Sequence, residues 1–195
     1  MDIHRSPASG TLTAALHKKF GKRRNGRAQL SLVSLKSRRV ECKTDCCSFV
    51  EGFPLRLREL RSAYKEIQKF YESNDDLEPL LNEDIKHNIN SPYGCHVMNE
   101  ILHFYLETIL PTALQKNPLK HSTTPIDSIG NIFQELKRDM VKCKRYFSCQ
   151  NPFEVNSLKN SYEKMKEKGV YKAMGELDLL FRYIEQYLAS KRVKH

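Results

Sequence analysis

Six cysteines are the side chains of this sequence best equipped for chemistry: Cys42, Cys46, Cys47, Cys95, Cys143 and Cys149. An even number of them, all downstream of residue 41 in a chain of 195 residues, points to a disulfide framework and an oxidising compartment. Six thiols can pair in many ways, and their spacing alone does not choose among the pairings. A zinc site would need Cys-x-x-Cys pairs or histidines at finger spacing, and neither occurs. His96 and His103 stand seven residues apart on a helical stretch with no obvious set of carboxylate or thiol partners to complete a site, so no metal is expected there. There is no glycine-rich phosphate loop and no nucleophile elbow. The chain therefore reads as a non-enzyme, with no catalytic residue and no cofactor.

The elements that must position these cysteines are helices. In the last quarter of the chain, Val170, Ala173, Met174, Leu177, Leu180, Phe181, Ile184, Tyr187 and Leu188 recur at helical spacing. That is one broad apolar stripe, which must bury against other helices. Lys172, Glu176, Asp178 and Glu185 fall off the stripe and form a patterned charged face. Such a helix packs and recognises.

Earlier segments repeat the pattern. From Phe53 to Ser73, Leu57, Leu60, Tyr64, Ile67 and Tyr71 share a face, with Pro54 placed in the first turn, where its missing N–H is harmless. The break at Ser73-Asn74-Asp75-Asp76 is expected to cap a shorter helix from Leu77 to about Lys86. A third helix runs through Val97, Met98, Ile101, Leu102, Tyr105, Leu106 and Ile109 and is expected to stop before Pro111. A fourth extends from Ile126 to about Tyr146 through Ile129, Ile132, Phe133, Leu136 and Met140. The fifth, Phe153 to Lys168, is strongly charged, and Gly169 is expected to bend or end it before the last helix, Val170 to Lys191. Six helices with almost no two-residue alternation make an all-α fold.

Net charge is unevenly spread. Residues 1–39 hold ten Lys or Arg and one acid, which accounts for +9 of the formal +10. We therefore divide the chain into a basic N-terminal extension, 1–39, expected to be disordered and without a clear signal peptide, and a nearly neutral helical domain, 40–195. The extension lacks the apolar segment of a signal peptide, in tension with the oxidising compartment inferred from the cysteines.

From about Cys46 onward the chain resembles the interleukin-10 family of secreted helical cytokines. The resemblance rests on Leu57-Arg58-Glu59-Leu60-Arg61, Tyr93-Gly94-Cys95 and Phe104-Tyr105-Leu106-Glu107. It rests above all on Glu167-Lys168-Gly169-Val170-Tyr171-Lys172-Ala173-Met174, continued by Asp178 and Tyr183-Ile184-Glu185. The resemblance implies a six-helix cytokine bundle with two disulfides, Cys46 to Cys143 and Cys95 to Cys149. It also implies an intertwined homodimer, in which the last two helices of one chain complete the bundle begun by the first four of the other. The short connection from Phe147 to Pro152, with its cysteine and proline, agrees with such an exchange. Cys42 and Cys47 are additions to the family's four. A local bond between them would close a small loop, but the adjacency of Cys46 and Cys47 leaves open which one reaches Cys143.

By the same resemblance the partners are the interleukin-10 receptor alpha and beta chains, class II cytokine receptors that signal through Janus kinases and STAT proteins to an anti-inflammatory outcome. The high-affinity chain would meet the first helix, the loop after it and the last helix. The matching residues here are Arg58, Arg61, Gln68, Glu72, Glu78, Lys172, Glu176, Asp178 and Glu185. Gln68, Glu72 and Glu78 depart from the family's usual side chains. The alternative reading is a nucleic-acid-binding protein that uses the basic stretch between Lys18 and Arg39, which predicts steep salt dependence. The nearly neutral helical domain offers no base-reading motif and speaks against it.

Overall fold

Thr44 begins the folded part. Its side-chain oxygen accepts the N–H of Cys47 at 3.2 Å and caps helix α1, Asp45–Glu72. The computed structural model describes residues 41–73, 77–116, 123–149 and 155–192, and every regular element in them is helical. The basic extension lies outside the described residues. Residues from Arg39 onward form one compact unit.

Helix α1 starts well before Phe53, and Pro54 sits in its interior instead of its first turn. An interior proline removes the bond to the carbonyl four residues back and costs about 3 kcal/mol. Burial of Cys47, Val50 and Phe53 and two disulfides rooted at Cys46 and Cys47 offset that loss. Helix α2, Glu83–Ile89, also starts later than the spacing predicts. Its cap is Asn82, whose side chain accepts the N–H of Ile85 at 3.1 Å. Leu80 and Leu81 stay in the preceding loop and are buried there.

Helix α3, Gly94–Phe104, does not stop before Pro111. It widens into a π-turn over Tyr105–Ile109 and continues as α4, Leu110–Lys116. The wider turn comes immediately before the proline, where an ordinary helix would press the ring against the carbonyl of Glu107. Helix α5 spans Thr123–Lys142 and α6 spans Asn156–Met165. A 3-10 turn, Lys166–Lys168, leads to α7, Gly169–Gly175, and then α8, Leu177–Ser190. The bend expected at Gly169 falls at Lys166, whose φ is 50°. Gly169 itself is helical and is required by space, because a Cβ there would lie 2.9 Å from the Tyr162 ring.

Helix α1 packs on α5, α7 and α8. Tyr64, Phe181, Phe133 and Tyr105 meet edge to face in succession at 6.0, 6.2 and 6.1 Å between ring centres. All nine apolar residues of the C-terminal stripe are buried. Here α7 and α8 close on the α1 of their own chain.

The disulfides join Cys46 to Cys143, Cys95 to Cys149 and Cys42 to Cys47. Successive residues of a helix point about 100° apart. Cys46 therefore faces the end of α5, while Cys47 turns back toward Cys42. Among the described residues no helix is long and apolar enough to cross a membrane.

Candidate functional site

Side by side, α1 and α8 put two sequence-distant charges in contact. Arg61 Nη2 donates to Glu185 Oε2 at 2.6 Å, and both side chains remain partly in solvent, 38% and 49% exposed. Arg58 is exposed one turn before Arg61 on α1. About two turns before Glu185, Asp178 lies 3.8 Å from Arg182 and is also half in solvent. The result is a mixed-sign surface built on two rigid helices. Arginine forks at such a surface can engage carboxylates in two parallel bonds, and the alternation of sign supplies register.

Gln68 and Glu72 form a separate pair two turns further along α1, joined at 2.7 Å. Glu78 is exposed in the loop that follows. It lines a groove of about 630 Å³ between the 78–86 segment and α8, with Leu81, Lys86, Leu179, Arg182 and Tyr183 among the other walls.

Lys172 and Glu176 are placed differently from the rest of the nine. Both are 7% exposed, so the face that helical spacing assigns to solvent is covered at these two positions. Their side chains pair at 3.2 Å. Glu176 also accepts the backbone N–H of Leu80 at 3.0 Å and of Leu81 at 2.8 Å. Glu176 lies at the junction of α7 and α8, where the break aims its carboxylate at the loop.

The same junction is held by phenols, two of which, Tyr64 and Tyr105, stand on the apolar stripes of their helices. Tyr64 donates to the carbonyl of Gly175 at 3.1 Å, and Tyr105 to that of Ala173 at 2.8 Å. Tyr183 donates to the Leu81 carbonyl at 3.1 Å. Burial, and secondarily the Glu176 charge, pushes the Tyr105 phenol well above its ordinary value. Burial likewise raises Tyr183, and pushes Tyr71 up to about 12. The sequence did carry a signal for these contacts. Tyrosine in place of phenylalanine or leucine on an apolar stripe brings a hydroxyl that must find a partner.

The Interleukin 10 family model matches residues 29–190, beginning upstream of Val40. The chain is 37% identical over 152 residues to interleukin-10 of Gallus gallus, covering 76% of this chain and 86% of that protein. It is 34% identical over 150 residues to interleukin-10 of Felis catus, covering 75% and 83%. Against interleukin-10 of Marmota monax it is 32% identical over 154 residues, covering 78% and 85%. A solved structure of PROSS-edited human interleukin 24 superposes with a TM-score of 0.54 at 21% identity, covering 67% of this chain and 89% of that one, and supports the helical fold.

Proposed function

The chain belongs to the interleukin 10 family of helical cytokines, and on that premise we propose that it is a secreted, anti-inflammatory signal that works by bringing receptor chains together. The high-affinity partner is the interleukin-10 receptor alpha chain, docking on the α1–α8 face. The beta chain joins the assembly, and the clustered class II receptors activate Janus kinases and STAT proteins.

The observation that carries this reading is the Arg61–Glu185 contact. It spans α1 and α8, which pack through core residues such as Tyr64 and Phe181 and which also carry the exposed Arg58 and the half-exposed Asp178. Half-exposed ion pairs add little to stability, with a median of about 0–1 kcal/mol. A surface rich in them is better explained by recognition than by folding.

The active form is a homodimer with exchanged helices. The hydrogen bonds from Tyr64 to Gly175, Tyr105 to Ala173, Tyr183 to Leu81 and from Leu80 and Leu81 to Glu176 run between residues 41–149 and residues 155–192. In the exchanged form the C-terminal helices of a second copy make those contacts. The only covalent link between the two halves is the segment 150–154, anchored on one side by the Cys95–Cys149 bond. Exchange of identical elements between two copies keeps every apolar stripe buried. Two copies then display two identical docking faces.

Titration of the receptor alpha-chain ectodomain against Arg61→Ala and Asp178→Ala tests the docking face. Each substitution is expected to weaken binding by about tenfold, the loss of one charge-assisted bond, while sedimentation still gives a two-chain particle. Unchanged affinity in both variants would remove the face from consideration. A stable single subunit of fully oxidised protein would do the same for the exchange.

A further inference from the structure

A loop that presents a binding side chain has to be held by its backbone, because its N–H groups have no helical ladder. Between α1 and α2, residues 77–82 carry the exposed Glu78 and then plunge inward at Leu80 and Leu81, which are 2% and 1% exposed. Two consecutive N–H groups at that point are buried, and each must be satisfied. The two oxygens of Glu176 take one each, at 3.0 and 2.8 Å. Tyr183 completes the hold by donating to the Leu81 carbonyl. The buried carboxylate is in turn neutralised by Lys172 at 3.2 Å, as a buried charge requires.

Relying on the docking reading above, we propose that Glu176, supported by Lys172, is a positioning residue for receptor docking. It does not touch the receptor. It locks the backbone of Leu80 and Leu81 onto the α7–α8 junction, so that Glu78 lines the groove whose walls include Arg182. The chemistry selects a carboxylate. Two equivalent acceptor oxygens match two adjacent donors, whereas a glutamine offers one acceptor and sets an NH2 group against the other N–H. Sequence resemblance assigns Glu176 and Lys172 to the contact surface, but their burial assigns them to the support beneath it.

The test is Glu176→Gln in the full, oxidised chain, read by amide hydrogen exchange and by binding to the receptor alpha-chain ectodomain. Lys172→Met combined with Glu176→Gln serves as a second variant, which removes both buried charges together and is judged by the same measurements if the single variant does not fold. We expect the Leu80 and Leu81 amides to exchange about tenfold faster or more, the loss expected for one charge-assisted hydrogen bond, while core amides of α1 and α5 keep their protection. Receptor affinity should fall, and Glu78→Ala should lose most of its effect in the Glu176→Gln background, because the loop is already displaced. Wild-type exchange at Leu80 and Leu81 would overturn the proposal. So would simple additivity of Glu78→Ala and Glu176→Gln in binding, the result expected of a direct contact. Full affinity of Arg61→Ala and Asp178→Ala would instead sink the docking reading on which this role rests. That failure is distinguishable, since the exchange measurement needs no receptor.

Discussion

Gly94→Ala should be among the most damaging single-methyl changes in this chain, and space is the reason. Gly94 opens α3, and its backbone has no positive φ, so an alanine could adopt the same dihedrals. The obstacle is the turn from α2. A Cβ on Gly94 would sit 2.0 Å from the carbonyl oxygen of Ile89, 3.0 Å from its carbon and 3.0 Å from Cε2 of Tyr187. Restoring van der Waals distance to the oxygen requires a backbone shift of more than about 1 Å, and a close-packed interior does not absorb that locally. The shift would pull on Cys95, bonded to Cys149, and on the Tyr187 ring stacked against Phe147. Overpacking of this kind costs about 1–3 kcal/mol, and more where backbone is displaced. The unfolded-state entropy that alanine removes returns only about 0.4–1 kcal/mol. We therefore expect a net loss of about 2 kcal/mol, which for a domain of this size lowers Tm by about 4–8 °C. Circular dichroism melts of oxidised wild type and Gly94→Ala, run at one scan rate and one protein concentration, would measure it. An unchanged melting temperature would show that the α2–α3 turn yields freely, and the reasoning from close approach would be wrong.

Two further outcomes separate interactions that look alike in sequence. In the chain-entropy account, removing the Cys46–Cys143 link, with a sequence separation of 97, should cost about 4.7 kcal/mol, whereas removing Cys42–Cys47, with a separation of 5, should cost about 2 kcal/mol. Urea titrations of the two paired Cys→Ser variants check that ranking, and equal losses would contradict it. The second outcome concerns two buried tyrosines. Tyr105→Phe strands the Ala173 carbonyl and should destabilise by about 1–2 kcal/mol. Tyr187→Phe removes a buried hydroxyl that has no hydrogen-bond partner among the described residues, and should be neutral or stabilising. Thermal melts that rank the two in the opposite order would refute the assignment of those hydroxyls.

Much of this fold is legible in the residues themselves. The stripe from Val170 to Leu188 and its counterparts in α1, α3 and α5 mark an all-helical protein and name most of its core, because burial follows the 3.6-residue period. The family could be read from runs such as Tyr93-Gly94-Cys95 and Gly169-Val170-Tyr171-Lys172-Ala173-Met174, where close approach and packing limit what can stand at each position. Helix bounds were less legible. Pro54 and Pro111 are helix breakers by local preference, yet α1 and the α3–α4 run pass through both, because burial and disulfides outweigh the bond lost at Pro54 and the wider turn at Tyr105–Ile109 makes room for Pro111.

What tertiary structure alone decided concerns partners far apart in the chain. Periodicity says which residues share a helix face, but it cannot say whether another segment will cover that face. Lys172 and Glu176 fall on the polar side of the last helices, as Asp178 and Glu185 do. Only the arrival of Leu80 and Leu81, with two N–H groups in need of acceptors, turns the first pair inward while the second stays in solvent. The choice of Cys46 over Cys47 for Cys143 is of the same kind. It was settled by the direction each side chain takes from α1, which adjacency in sequence does not reveal.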